Sequence, residues 1–228
     1  MATSSLVSGQ LKPEGAQHER ALCLSEIRAL IFDVDGVLVT GHMEKGGLWQ
    51  VDMEADLSLN PDDFHRAFFE PHWADIVLGR VGIEERLAPV LNEIAPHLSV
   101  EAVLSYWFET DSRLDSTLLS MVERLRGATN LGFYLATNQE HRRADYFWRT
   151  MELEHRFDAI HYSADIGHQK PSVDFYVEVE NRLGFDGAAL LFFDDQEKNV
   201  VAAQDRDWNA HIWKGPETLE RVLLAHGL

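Results

Sequence analysis

Five short apolar runs, each ending in polar or acidic residues, constrain the fold of this chain more than any other feature. They occupy residues 28–33, 131–137, 159–162, 189–194 and 210–213. A strand with one wet face alternates apolar and polar residues, whereas a nearly continuous apolar run fits a strand covered on both faces. Helical patterns separate the runs. Residues 116–126 place Leu118, Leu119, Val122 and Leu125 on one face, with Ser116 expected as N-cap and Gly127 just past the end. Residues 140–150, 171–183, 198–205 and 217–226 read the same way, with Pro171 expected in a first turn and Gly184 closing that helix. The alternation predicts an α/β fold built on a doubly wound, Rossmann-like parallel sheet.

One stretch interrupts the alternation. Residues 42–115 carry helical patterning at 61–69, 83–94 and 100–110 and no strong strand. An insertion directly after the first strand places helices over the carboxyl ends of the strands, where ligands bind in this architecture. The expected organisation is therefore a loose leader at 1–27, an α/β core at 28–41 and 116–228, and a small helical cap at 42–115. The leader includes a short helix near 21–27, and Gly41, Gly46 and Gly47 supply loop or hinge material at the start of the cap. Trp49, Phe68, Phe69 and Trp73 are assigned to the core of the cap, with Trp73 or His72 as a candidate wall of the substrate pocket. Arg142 and Arg143 are assigned to a solvated helix face, and His168 to a loop.

The chain has 20 basic and 38 acidic residues in 228, a formal charge of −18. Such a balance argues against binding nucleic-acid phosphates or an anionic membrane surface, both of which call for basic patches. A single cysteine, Cys23, forms no intramolecular disulfide and points to a reducing, cytoplasmic setting. No apolar run reaches the length of a membrane span.

Four motifs fall at expected strand ends or just beyond them: Asp33-Val34-Asp35-Gly36, Thr137-Asn138, Lys170-Pro171 and Asp194-Asp195. The first and fourth bring four carboxylates to one sheet edge. Two charges 4 Å apart repel by about 4 kcal/mol at an effective dielectric of 20, so the cluster calls for a cation or raised pKa values. Oxygen donors without a His/Cys ligand pattern suit Mg²⁺ rather than zinc. Thr137 supplies a hydroxyl and is followed by backbone N–H groups suited to an anion, while Lys170 supplies a point cation. A carboxylate nucleophile, a second carboxyl, a metal and anion clamps together equip a site for phosphoryl transfer.

This order of motifs resembles the haloacid dehalogenase superfamily, and most closely its phosphatases with a helical cap inserted after the first motif. The resemblance spans residues 28–228. It implies Asp33 as the nucleophile that takes the phosphoryl group, and Asp35 as general acid and then general base. Thr137 and the Asn138 backbone would hold phosphate oxygens, with Lys170 neutralising charge on nucleophile and phosphate. Mg²⁺ would be bound by Asp33, the Asp35 carbonyl and Asp195, with Asp194 either a direct ligand or one step behind. Asn199 stands where relatives often carry another acid. Superfamily members that cleave carbon–halogen bonds lack the second acid of the first motif, so Asp35 favours phosphate chemistry.

The resulting expectation is a Mg²⁺-dependent phosphatase of a small phosphorylated metabolite, monomeric or homodimeric. A sugar phosphomutase, a haloacid dehalogenase and a non-catalytic binding protein are the alternatives. The acid excess is uneven: residues 42–115 hold 15 acids against 5 bases. A lid so negative disfavours multiply charged leaving groups and points to a sugar phosphate or similar monoester.

Overall fold

The computed structural model describes residues 27–41 and 48–228. The expected leader up to Glu26, with its short helix and Cys23, lies outside the described residues, as do Gly46 and Gly47. Five strands form one parallel sheet: β1 (Ala29–Phe32), β2 (Gly132–Thr137), β3 (Ala159–Tyr162), β4 (Leu190–Asp194) and β5 (Asn209–Ile212), in the order β3-β2-β1-β4-β5. Strand β1 sits at the centre, with Ala29 in register with Gly132 on one side and Leu190 on the other. Its four residues are fully buried.

Alternation of side chains splits the apolar runs between two cores. Leu30, Phe32, Phe133, Leu135, Leu191 and Phe193 pack on one face, while Ala29, Ile31, Ala136, Leu190, Phe192 and Ala210 pack on the other. Both faces are covered, which is why the strands read as continuous apolar runs. The strand order reverses direction beside β1, so the carboxyl ends of β1, β2 and β4 open onto a common crevice.

Between β1 and the next core helix lie α1 (Met53–Leu57), α2 (Pro61–Phe64), α3 (Glu70–Ile76), α4 (Ile83–Ile94) and α5 (Val100–Thr110). Asn60 caps α2 by accepting from the Asp62 and Asp63 amides, both at 3.1 Å. A π-helical turn, His65–Phe69, joins α2 to α3. These helices bury their own cluster, including Phe64, Phe68, Leu87, Leu91, Leu104 and Trp107. Trp49, Phe68, Phe69 and Trp73 belong to that cluster, as expected; Trp49 stacks on Trp107 at 5.2 Å.

The two chain segments that lead into and out of the insertion run side by side. The Thr40 amide donates to the Arg113 carbonyl and the Asp115 amide to the Leu38 carbonyl, both at 2.9 Å. Val39 bridges Leu114 on one side and Asp35 on the other. The first motif is thus stitched directly into the connection to the insertion.

The core continues with α6 (Ser116–Ala128), α7 (His141–Asp145), α8 (Ser163–Ile166), α9 (Val173–Leu183), α10 (Glu197–Gln204) and α11 (Pro216–His226). Three end signals differ from expectation. Asp115, not Ser116, caps α6, accepting from the Thr117 and Leu118 amides at 2.9 and 3.0 Å; its carboxylate sits on the residue with extended backbone that a cap requires. Gly127 lies inside the last turn of α6 rather than past it. Helix α9 starts after Ser172, leaving Pro171 ahead of the helix, while Gly184 ends it at φ +69° as expected.

His161 on β3 is buried against the Tyr134 ring at 5.9 Å, and its Nε2 has no partner. Burial, reinforced by Arg182, lowers its pKa from 6.5 to about 4. Between those values the unfolded chain binds a proton that the folded chain refuses, so stability falls as pH drops through this window. The expected loss is at most roughly 3 kcal/mol. Urea midpoints at pH 7 and pH 5 check it: the wild-type difference should shrink in His161→Gln, and an unchanged difference would refute this assignment.

Candidate active site

The crevice holds a cleft of about 280 Å³ whose lining includes Asp33, Asp35, Gly36, Thr137, Lys170 and Asp195. All four motifs converge there. Neither Trp73 nor His72 lines it; Trp73 packs instead against Phe69 and Trp107 at 5.4 and 5.8 Å.

Lys170 is the pivot of the cleft. Its side chain is essentially inaccessible, and a buried ammonium costs several kcal/mol unless every proton finds an acceptor. Asp33 Oδ1 at 2.9 Å, Asp194 Oδ2 at 2.6 Å and the Ala136 carbonyl at 2.8 Å supply three. Each carboxylate contact is worth about 6 kcal/mol at an effective dielectric of 20, enough to hold the charge in place. Burial alone would lower the Lys170 pKa, but the two carboxylates outweigh it and raise it. All three donors are committed within the protein, so in this arrangement Lys170 orients Asp33 rather than reaching outward to an anion.

Asp194 is fully buried and its acceptor capacity is filled. Besides Lys170 it accepts from the Gln196 amide at 2.8 Å and from Asn199 Nδ2 at 3.0 Å to both oxygens. A carboxylate offers about four lone-pair sites, and all are used. Asp195 is more open, held by Gln196 Nε2 at 2.6 Å. Burial raises its pKa above the usual carboxylate range, with Asp194 adding to the effect. Burial likewise pushes Asp33 up to about 8, Asp194 adding and Lys170 opposing.

These raised values express a charge imbalance. Asp33, Asp194 and Asp195 each offer an oxygen within 4.8 Å of the others, and among the described residues Lys170 is the cation paired with them. Two negative charges are left over, which a divalent cation would cancel. The donor set is all oxygen, and the buried Asn199 Oδ1 faces no partner. That chemistry fits Mg²⁺. Asp33 and Asp195 have acceptor capacity to spare for such an ion, whereas Asp194 does not.

Gly36 makes room for the Asp195 side chain beside the turn that follows β1. It has φ +78°, and a Cβ there would fall 2.7 Å from Asp195 Cγ. Only glycine satisfies both demands.

The second motif does more than its threonine suggests. Asn138 clamps the Lys170 backbone from both ends, donating to its carbonyl at 2.9 Å and accepting from its amide at 2.8 Å. Buried Gln139 donates to Asp35 Oδ2. Buried Glu140 caps α7, accepting from the Arg142 amide at 2.7 Å and from the Arg143 amide.

Arg142 and Arg143 do not form the solvated face expected of them. Arg143 is buried and forks onto Asp35, NH2 to Oδ1 at 3.1 Å and NH1 to Oδ2 at 3.3 Å. The same NH2 donates to the Asp111 carboxylate at 2.8 Å and carbonyl at 3.1 Å. Its guanidinium lies over Phe147 at 4.7 Å. Arg142 pairs with Glu84 and with Glu101, the latter at 3.1 Å, both on the insertion. The glycine-free run 137–143 and its adjoining acids gave no hint of this, because the partners lie about a hundred and about thirty residues away.

Comparison with known proteins identifies the family of the chain. A family model described as haloacid dehalogenase-like hydrolase matches residues 27–205. A sesquiterpene phosphatase, astK of Aspergillus oryzae, is 26% identical over 182 residues, covering 78% of this chain and 85% of that protein. Two solved structures share the fold. A HAD-like family hydrolase from Porphyromonas gingivalis has TM-score 0.70 and 20% identity, over 87% of this chain and 98% of its own. A HAD family enzyme from Bacteroides thetaiotaomicron, in complex with magnesium and inorganic phosphate, has TM-score 0.69 and 18% identity, over 86% and 98%. With the family pattern extending from the strand that carries Asp33 past the one that carries Asp194, this chain belongs to the haloacid dehalogenase-like hydrolases.

Proposed function

We propose that the chain is a Mg²⁺-dependent phosphatase that hydrolyses a small phosphate monoester through an aspartyl-phosphate on Asp33. The observation that carries this reading is a carboxylate held by a buried lysine at the edge of an acid-rich cleft, with a second carboxyl two residues on. The phosphatase named among its relatives and the magnesium and phosphate bound by the Bacteroides enzyme support it.

Asp33 attacks phosphorus, forming an O–P bond as the ester P–O bond breaks. Asp35 gives its proton to the departing alcohol oxygen. Water then attacks the phosphoryl phosphorus and gives a proton to Asp35 as the Asp33–P bond breaks, releasing inorganic phosphate. Lys170 keeps Asp33 aimed and opposes its protonation, and Thr137 and the amides that follow it receive phosphate oxygens. Asp33, Asp195 and the Asp35 carbonyl would hold Mg²⁺, which supplies charge stabilisation to the phosphoryl oxygens. Asp194 serves by fixing Lys170. The insertion, residues 42–115, acts as the cap that excludes bulk water and selects the leaving group. Its acid excess favours an uncharged alcohol, whether a sugar or a more apolar one such as the fungal relative's name implies. A cytoplasmic setting is part of the same reading; no described helix is long and apolar enough to cross a membrane.

Phosphate release from a broad panel of phosphorylated metabolites tests the reading. Wild type should turn over at least one uncharged-alcohol monoester, lose activity with EDTA and regain it with Mg²⁺. Asp33→Asn should fall by at least about 10³-fold while remaining folded, since the amide oxygen still accepts from Lys170. Activity that survives EDTA, or an active Asp33→Asn, would overturn it. Gly36→Ala should lose at least about 10-fold in kcat and weaken Mg²⁺ binding, since the added methyl displaces Asp195; wild-type Mg²⁺ affinity in that variant would contradict the placement of Asp195 at the ion.

A further inference from the structure

Arg143 has no part in the family pattern stated above, and its contacts are unusual for a surface-helix arginine. Removing a guanidinium from water is costly, and it is kept buried only where acceptors are waiting. Those acceptors come from two places. Asp35 belongs to the first motif and Asp111 closes the last helix of the insertion, α5. Trp107, one turn earlier on α5, faces the guanidinium carbon at 5.4 Å. Arg143 itself stands on α7, whose start is fixed by the buried cap Glu140.

Resting on the phosphatase reading, we propose that Arg143 is a positioning residue that sets the general acid Asp35 and makes its placement depend on the seating of the helical insertion. A fork onto both oxygens fixes the rotation of the carboxyl group, which a single hydrogen bond from Gln139 does not. One NH2 serves Asp35 and Asp111 together, so withdrawing Asp111 removes two of the contacts that hold the fork. The connection is short, because Val39 bridges Asp35 on one side and Leu114 on the other. Other contacts fasten the insertion to α7, the π-helical turn after it and the start of α8. Ser163 Oγ donates to the Val77 carbonyl at 2.6 Å, Arg142 grips Glu84 and Glu101, and Phe108 meets Tyr146 at 5.4 Å. The insertion is therefore fastened to the element that aims the acid, and proton delivery is coupled to its closure.

The signature of a misplaced general acid is selectivity for the leaving group. An alkyl alcohol needs a proton to depart and p-nitrophenol does not. The measurement is kcat/KM with Mg²⁺ for p-nitrophenyl phosphate and for a primary alkyl phosphate, in wild type, Arg143→Lys and Asp111→Asn. Arg143→Lys keeps the charge and loses the fork, and should lower the alkyl value by about 10–100-fold while the aryl value falls no more than about 3-fold. Asp111→Asn, which does not touch Asp35, should show the same bias, and the double variant should lose less than the product of the two single losses. Equal losses on both esters, or none, would overturn the proposal and leave the phosphatase reading standing. A wild type silent on both esters and on the metabolite panel would instead remove that reading. If Arg143→Lys does not fold, the bias of Asp111→Asn decides the matter alone.

Discussion

The buried ammonium of Lys170 is the interaction on which the rest of this site depends. It lies where β1, β2 and β4 end, and it draws one acceptor from each: Asp33, the Ala136 carbonyl and Asp194. Removing the lysine would leave two buried carboxylates facing each other without a counter-charge, a change typically worth 3–5 kcal/mol. Removing either acid would leave a buried cation short of a partner. The three strands are thus tied at their carboxyl ends by one charge, and the nucleophile is aimed as a by-product of that tie.

Around the pivot, neighbouring residues have separate duties. Asn138 fixes the lysine's backbone, Asn199 and the Gln196 amide fill the remaining sites of Asp194, and Gly36 lets Asp195 come close. The second motif then runs into α7, where Gln139 and Arg143 reach Asp35. The two acids of the first motif are therefore governed by different cations. Asp33 answers to Lys170 inside the core, and Asp35 answers to Arg143 at the seam with the insertion. In the proposed mechanism the first must stay fixed through both steps, whereas the second must reach a leaving group that the insertion admits.

Much of this was legible in the sequence. Strands buried on both faces write themselves as apolar runs, and the polar residue at each run's end marks where the sheet stops. That is why the sequence alone places Asp33, Thr137 and Asp194 at strand ends. Helices α4 and α5 were bounded correctly because their apolar faces repeat cleanly and Ser99 caps α5. Arg143 was not legible. A pair of arginines after a strand end looks like a wet helix face, and only the folding of residues 35, 111 and 143 together gives the second of them acceptors. The π-helical turns were equally hidden. The one at Tyr146–Thr150 follows α7 and carries Tyr146 toward Phe108, a placement set by packing and not by any local signal. The cap of α6 was missed by one residue because Asp115 and Ser116 are both good capping residues, and backbone geometry chose the acid.

The proposed mechanism requires a covalent bond between phosphorus and Asp33. The most direct measurement is acid quench of the enzyme during turnover with Mg²⁺ and substrate, followed by mass spectrometry of the peptide that carries Asp33. The expected result is a phosphoryl group on Asp33 that disappears once substrate is exhausted. Rapid turnover with no phosphoryl adduct on that peptide at any quench time, or an adduct on another residue, would contradict it.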